Sequence, residues 1–248
     1  MENAPPAILK EYLLHLADDA LILGHRNSEW CGHGPILEQD IAITNISLDL
    51  IGQARNFYQY AAELTGGSCT EDSLAYLRDP HEFRNSLMAE LPKGDWAFTI
   101  LRQFLFSGYQ YLLYETLRLG SDERIAAIAA KSLKEVTYHL RWSSEWVIRL
   151  GDGTDESNAR INQALDQLWP YTDELFTAAP YEQQIADPER FRHTWLQNTE
   201  RVFREAGLAV PAAGMNGNPG KTGQHTAALV SLLEEMQLLP RAYPDASW

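Results

Sequence analysis

An all-α fold, four long helices followed by a helical C-terminal extension, is the architecture this sequence predicts, and three observations carry the expectation. Apolar residues recur at helical spacing through long stretches separated by Gly, Pro and Asp punctuation. Alternating runs bounded by hairpin turns, the mark of strands, are nearly absent. The chain has 248 residues, 45% hydrophobic and 22% charged, enough to fill a sizeable core.

Pro5 and Pro6 suit the first turn of a helix, where a missing N–H costs nothing. Ile8, Tyr12 and Leu16, with Leu13, Ala20 and Leu23, carry the apolar pattern from Ala7 to about Arg26, and the polar run Asn27 to Gly34 ends it. Pro35 opens a second helix to about Leu64, stopped by Gly66 and Gly67. At 1.5 Å per residue it is ~45 Å long, a length typical of bundles. Residues 66–94 read as a connection with short helical pieces, Asp72–Arg78 and His81–Glu90, broken by Pro92, Lys93 and Gly94. Asp95 can N-cap a third helix to Leu119, and Gly120 and Ser121 make the next turn. A fourth helix spans about Asp122 to Leu150, with Arg149 in its last turn, where a cation suits the dipole, and Gly151 at its end. Further helices are expected over 158–178, 187–206 and 222–239, and Val210 to Gly220 reads as a mobile loop. One helical domain over 1–248 is expected, with the bundle at about 7–150 and the extension at about 158–239. The long connection between the second and third helices makes this the ferritin-like arrangement.

Charge excludes some partners. Lys and Arg number 20 against 34 Asp and Glu, a net charge of -14, which repels nucleic acid and anionic membrane surfaces. Cys31 and Cys69 form no CxxC pair and are too few for a disulfide framework, so reduced thiols in the cytoplasm are expected. Met1 to Lys10 lacks the pattern of a signal peptide, and no window approaches the ~20 apolar residues of a membrane span.

The second helix is apolar around most of its circumference, through Leu37, Ile41, Ile43, Ile46, Leu48, Leu50, Ile51, Ala54, Phe57 and Leu64, and is expected to be buried on most sides. Glu38, Asn45, Asp49 and Asn56 nevertheless share one line along it. Left unsatisfied, such groups would cost a few kcal/mol each, so they need partners. Two readings compete: a hydrogen-bonded seam facing other helices or a partner protein, and the inward face of a bundle that holds or once held a metal. Asp18 and Asp19 on the first helix, and Lys131, Glu135 and His139 on the fourth, are the residues that could meet this stripe.

A ferritin-like di-iron centre needs a lone Glu from each of two helices and Glu-x-x-His from each of the other two. The seven histidines, His15, His25, His33, His81, His139, His193 and His225, follow Tyr12, Ile22, Trp30, Arg78, Val136, Arg190 and Thr222 by three positions, none of them acidic. The nearest approach is Glu135 with His139 at i,i+4, and Lys131 on the same face can neutralise Glu135 by direct pairing. The expectation is no metal, cofactor or catalytic site in this chain, with Asp18, Glu38, Asn45, Asp49, Lys131, Glu135 and His139 as vestigial polar positions. A mononuclear site on Asp49, Glu135 and His139 stays as the alternative. No Gly-x-Ser-x-Gly elbow, Walker loop or Gly-x-Gly-x-x-Gly is present. The run Lys221 to Thr226 reads either as an anion-binding helix start or as a loop capped by Thr222 or Thr226. The third helix carries Trp96, Phe98, Phe104, Phe106, Tyr109, Tyr111 and Tyr114 on more than one face, and the fourth carries Tyr138, Trp142 and Trp146. Aromatics so spread fit a subunit interface or an intrachain core.

Several strings are specific. Ser28-Glu29-Trp30-Cys31-Gly32-His33, Leu48-Asp49-Leu50-Ile51-Gly52-Gln53-Ala54-Arg55-Asn56, Lys134-Glu135 with Tyr138-His139-Leu140-Arg141, Gly151 to Asp155, Thr222 to Thr226, Glu235-Met236-Gln237 and the terminal Trp248 resemble the C-subunit family of bacterial 1,2-phenylacetyl-CoA epoxidases. The resemblance implies a ferritin-like chain, catalytically silent, that associates with a related di-iron A subunit. With a small B subunit and a reductase carrying FAD and an iron–sulfur cluster, that complex epoxidises the ring of phenylacetyl-CoA using O₂ and NADPH. It implies no catalytic residue here. A scaffold subunit, capable of self-association when its partner is missing, is therefore the leading expectation. The alternatives are an independent metal-dependent oxygenase and a coenzyme A-holding protein.

Overall fold

The computed structural model describes residues 5–212, 217–243 and 246. Among them there is no strand. Trp248, residues 1–4 and the centre of the expected 210–220 loop lie outside the described residues.

Four long helices form the body: α1 (Pro6–Ser28), α2 (Leu37–Thr65), then, beyond short α3 (Glu71–Tyr76) and α4 (Leu87–Glu90), α5 (Trp96–Leu117) and α6 (Glu123–Gly151). Their starts follow the expected chemistry. Asp95 accepts from the Phe98 N–H and Asp122 from those of Arg124 and Ile125, which satisfies N–H groups that lack helical partners. α2 begins at Leu37 and not at Pro35, because Ile36 is extended and the Asp40 carboxylate takes the Gly34 N–H.

Contacts fix the packing as a square of antiparallel neighbours. Asp18 meets Tyr58 while Gly24 faces Ser47 and Leu50, so α1 and α2 run in opposite directions. Asn27 bonds Gln103 and Trp30 bonds Thr99 between α1 and α5. Gln53 bonds Glu135, and Tyr60 bonds Asp122, the N-cap of α6, to join α2 and α6. Trp96 lies edge-on to Trp142 and Trp146, closing α5 against α6. α2 and α5 stand on a diagonal, parallel, and the 66–95 segment must cross between them.

The extension consists of α7 (Asp155–Leu168), α8 (Thr172–Phe176), α9 (Arg192–Glu205), α10 (Ala227–Met236) and α11 (Leu238–Ala242). The single helices expected over 158–178, 187–206 and 222–239 are each broken. Pro170 has no N–H to continue α7, and 169–171 tightens into a 3₁₀ turn. Pro188 opens a second such turn, 188–191, ahead of α9. Thr226, not Thr222, caps α10. The described flank of the expected mobile loop is pinned: Asn218 donates to the Ala178 carbonyl and the Gly220 N–H to Glu174.

This extension covers α5, which resolves where its aromatics go. Phe104 packs on Phe203, Tyr109 on Phe176 and Phe191, and Trp195 sits on Trp169 and Phe176. The aromatics that leave the bundle on α5 are therefore intrachain core, and the subunit-interface reading does not hold for them. Gly108 allows the close approach, since a Cβ there would meet the Trp195 indole nitrogen at 3.1 Å. That nitrogen donates to the Leu105 carbonyl at 3.0 Å. Trp195→Ala is expected to lower the unfolding free energy by about 3–5 kcal/mol, measured by urea titration. A loss below about 1.5 kcal/mol would mean that the extension is not fastened through this residue.

Candidate functional site

Two layers of polar side chains inside the chain are candidates. The first lies between α2 and α6. Asp49 and Gln53 stand four residues apart on α2 and face His139 and Glu135, four apart on α6, the spacing that puts each pair on one helix face. His139 Nε2 lies 3.0 Å from Asp49 Oδ2. Gln53 donates to Glu135 at 2.9 Å and accepts from the Tyr114 hydroxyl at 3.2 Å. One level up, Gln39 accepts from the indoles of Trp142 and Trp146, at 3.0 and 2.8 Å.

Three of the seven expected positions, Asp49, Glu135 and His139, meet in this seam, and four do not. Glu38 and Asn45 are exposed, although they share a line along α2 with Asp49. Lys131 is also exposed, and the partner that Glu135 meets is the Gln53 amide and not a lysine. Asp18 turns the other way, into the crossover. Gln39 and Gln53 were not picked out from the sequence, although the i,i+4 match of Asp49 with Gln53 was visible there. The donor set does not fit a metal pair. The Gln53 N–H₂ donates to Glu135, and among the described residues no three His, Cys, Asp or Glu side chains converge as a metal group. The mononuclear alternative on Asp49, Glu135 and His139 has no support in this geometry.

The second layer is the crossover itself. Residues 83–86 were expected to be helical and are irregular. Buried irregular backbone must find partners outside itself, and here side chains supply them. Asp18 accepts the Arg84 N–H at 2.7 Å, Asp19 the Ser86 N–H at 2.7 Å, and Glu174 the Leu87 N–H at 2.7 Å. The Arg84 carbonyl lies 2.8 Å from His15 Nδ1, and the Phe83 carbonyl 3.0 Å from His225 Nε2. Asp18 is further held by Arg78 and Tyr58. Glu90 receives His225, the Asn85 amide and the Thr226 N–H. Lys221 is fully buried, with its ammonium 3.1 Å from both Glu182 oxygens and from the Leu175 carbonyl. The anions at the 218–226 turn are thus the chain's own Glu90, Glu174 and Glu182.

Burial and charge set the protonation of this layer. Burial raises the Glu182 carboxyl, but Lys221 and His15 outweigh it and bring it down to about 2. Burial pushes Glu174 up to about 7 against its two backbone N–H bonds. Burial alone would lower the pKa of His15, yet the Asp19 and Glu182 carboxylates turn the net shift upward. His225 shifts upward too, against its burial, because Glu90 both bonds and faces it.

Outside both layers, α2 shows a bare strip. Leu37, Ile41 and Leu48 share one face at 71%, 52% and 62% exposure, with Ile36 beside them. The expectation that α2 is buried on most sides fails here. Among the described residues α1, α6 and, at its C-terminal end, α3 pack against this helix, and the strip itself is left exposed. Large apolar residues aligned in this way mark a binding surface.

The α2–α6 seam thus consists of amide, carboxylate and imidazole groups, and an apolar strip lies on the outer side of α2. The chain is 45% identical over 246 residues, 97% of this chain and 99% of the other, to the C subunit of the 1,2-phenylacetyl-CoA epoxidase of Escherichia coli (strain K12). No helix among the described residues is long and apolar enough to cross a membrane. The model of the phenylacetic acid catabolic protein family matches residues 1–248, and the chain belongs to that family.

Proposed function

We propose that this chain is the non-catalytic structural subunit of a multicomponent phenylacetyl-CoA ring 1,2-epoxidase and stabilises the di-iron catalytic A subunit, with the small B subunit and a flavin and iron–sulfur reductase completing the complex. The observation that carries this reading is the α2 strip of Leu37, Ile41 and Leu48, exposed beside a seam whose donors do not suit a metal pair. Burying each such side chain contributes about 1.5–3 kcal/mol, so a face of this kind joined to a wider interface can hold two chains together. The subunit relation named for the Escherichia coli relative supports it.

The test is co-expression of this chain with the catalytic chain, followed by size-exclusion chromatography and iron assay. The two are expected to elute together with iron in stoichiometric amount, and the catalytic chain alone to precipitate or lose most of its activity. A catalytic chain that is soluble, iron-loaded and fully active by itself would rule the proposal out.

A further inference from the structure

We propose that the crossover is fastened by two doubly protonated imidazoles, His15 and His225, and that removing their protons loosens its contact with the 182 and 225 segments: an alkaline-sensitive clasp. The argument rests on which partners can only accept. His15 Nδ1 meets the Arg84 carbonyl at 2.8 Å, so it must carry a hydrogen. Its Nε2 lies 3.3 Å from Glu182 Oε1, a charge contact without hydrogen-bond geometry, and a bare lone pair there would face a carboxylate. His225 repeats the arrangement on the adjacent carbonyl. Its Nε2 meets the Phe83 oxygen at 3.0 Å and its Nδ1 meets Glu90 Oε2 at 2.7 Å. A neutral imidazole has one N–H and cannot serve two acceptors; the imidazolium can.

Both histidines therefore bridge a crossover carbonyl to a carboxylate, and each joins segments remote in the chain. Asp19 on α1 also faces His15, 3.7 Å from Nδ1, and Lys221 opposes it from the 220–222 turn. The Tyr181 ring packs on His15 from the segment before Glu182, and the Tyr12 ring from α1. Around His225 the charged groups are Glu90 and, further off, Asp18, itself paired with Arg78. The net surroundings of both rings are anionic, which agrees with their upward shifts. The sign of the pH effect follows. A histidine raised in the folded state adds stability fully present below the unfolded value of about 6.5, and that stability is lost as pH rises through the folded value. Once neutral, each ring must surrender one acceptor, and the contact between 83–84 and the 182 and 225 segments opens.

The experiment uses the full chain labelled with ¹⁵N. Imidazole spectra between pH 6 and 10 report protonation, and amide hydrogen exchange at Arg84, Ser86 and Thr226 reports the clasp. Both rings are expected to carry two N–H groups at pH 7 and to lose one in the alkaline range. Exchange at the three amides is expected to accelerate at least tenfold beyond its intrinsic pH dependence over the same interval, while amides in the middle of α6 do not. Glu90→Gln should move the His225 step to lower pH, and Glu182→Gln the His15 step. If either variant fails to fold, the wild-type titration decides alone. Either ring neutral at pH 7, or exchange at the three amides that does not follow the ring titrations, overturns the proposal.

Discussion

Arg78→Met is expected to destabilise the chain by about 3–5 kcal/mol, the range for removing one partner of a buried ion pair. The guanidinium joins four elements. It donates to the Leu74 carbonyl at 2.5 Å, to the Glu82 carbonyl at 2.9 Å, to Asp18 Oδ2 at 3.1 Å and to the Tyr58 hydroxyl at 3.1 Å, and it also pairs with Asp18 Oδ1. Its plane lies over the Phe83 ring, 4.1 Å from the centroid. Without it, the Asp18 carboxylate stays at 0% exposure with only Tyr58 and the Arg84 N–H for company. Lysine is no replacement, because one ammonium cannot reach these acceptors as a planar fork does. Arg78→Lys should therefore cost more than half as much. Urea unfolding followed by circular dichroism reads both, and a loss under about 1.5 kcal/mol for Arg78→Met would show that Asp18 finds another cation.

The paired substitution Ile41→Asp with Leu48→Asp is expected to abolish co-elution with the catalytic chain while changing the unfolding free energy of this chain alone by less than about 0.5 kcal/mol. Both side chains are more than half exposed, so little of their burial energy is spent inside the chain. In a docked interface the same two carboxylates would be desolvated without partners, which costs several kcal/mol each. Val230→Asp, on α10 and 40% exposed, should leave co-elution intact. If the paired variant still co-elutes with the catalytic chain, the docking face lies elsewhere; if it unfolds, the strip belongs to the core.

The long helices were legible because their apolar spacing, caps and glycine stops are local: Asp95, Asp122 and Gly66 mark ends that the structure reproduces. Of the candidate site, Asp49, Glu135 and His139 were legible as residues on facing helices, since their period alone places them. The rest depended on contacts between remote positions. Whether Lys131 or Gln53 answers Glu135 turns on the rotation of α6 against α2, and no local signal sets it. The crossover was expected at 66–94, but its irregular backbone at 83–86 was not, for the same reason. His81 to Glu90 has helix-compatible composition, yet Asp18, Asp19, Glu174, His15 and His225 offer its backbone partners that a helix would refuse. The α5 aromatics looked like a subunit surface because the segment that covers them begins some sixty residues further on, with Trp169.

The bond between the Phe83 carbonyl and His225 spans 142 residues, and that between Glu90 and the Thr226 N–H spans 136. During synthesis the first two-thirds of the chain emerges with a crossover that is held on the α1 side only, by Asp18, Asp19 and His15. Contacts of such separation form late and slowly. A nascent or truncated chain ending near residue 210 would leave the Phe83 carbonyl and the Glu90 carboxylate without their His225 and Thr226 partners. Completion of the last forty residues is thus the event that commits the polypeptide to its native form.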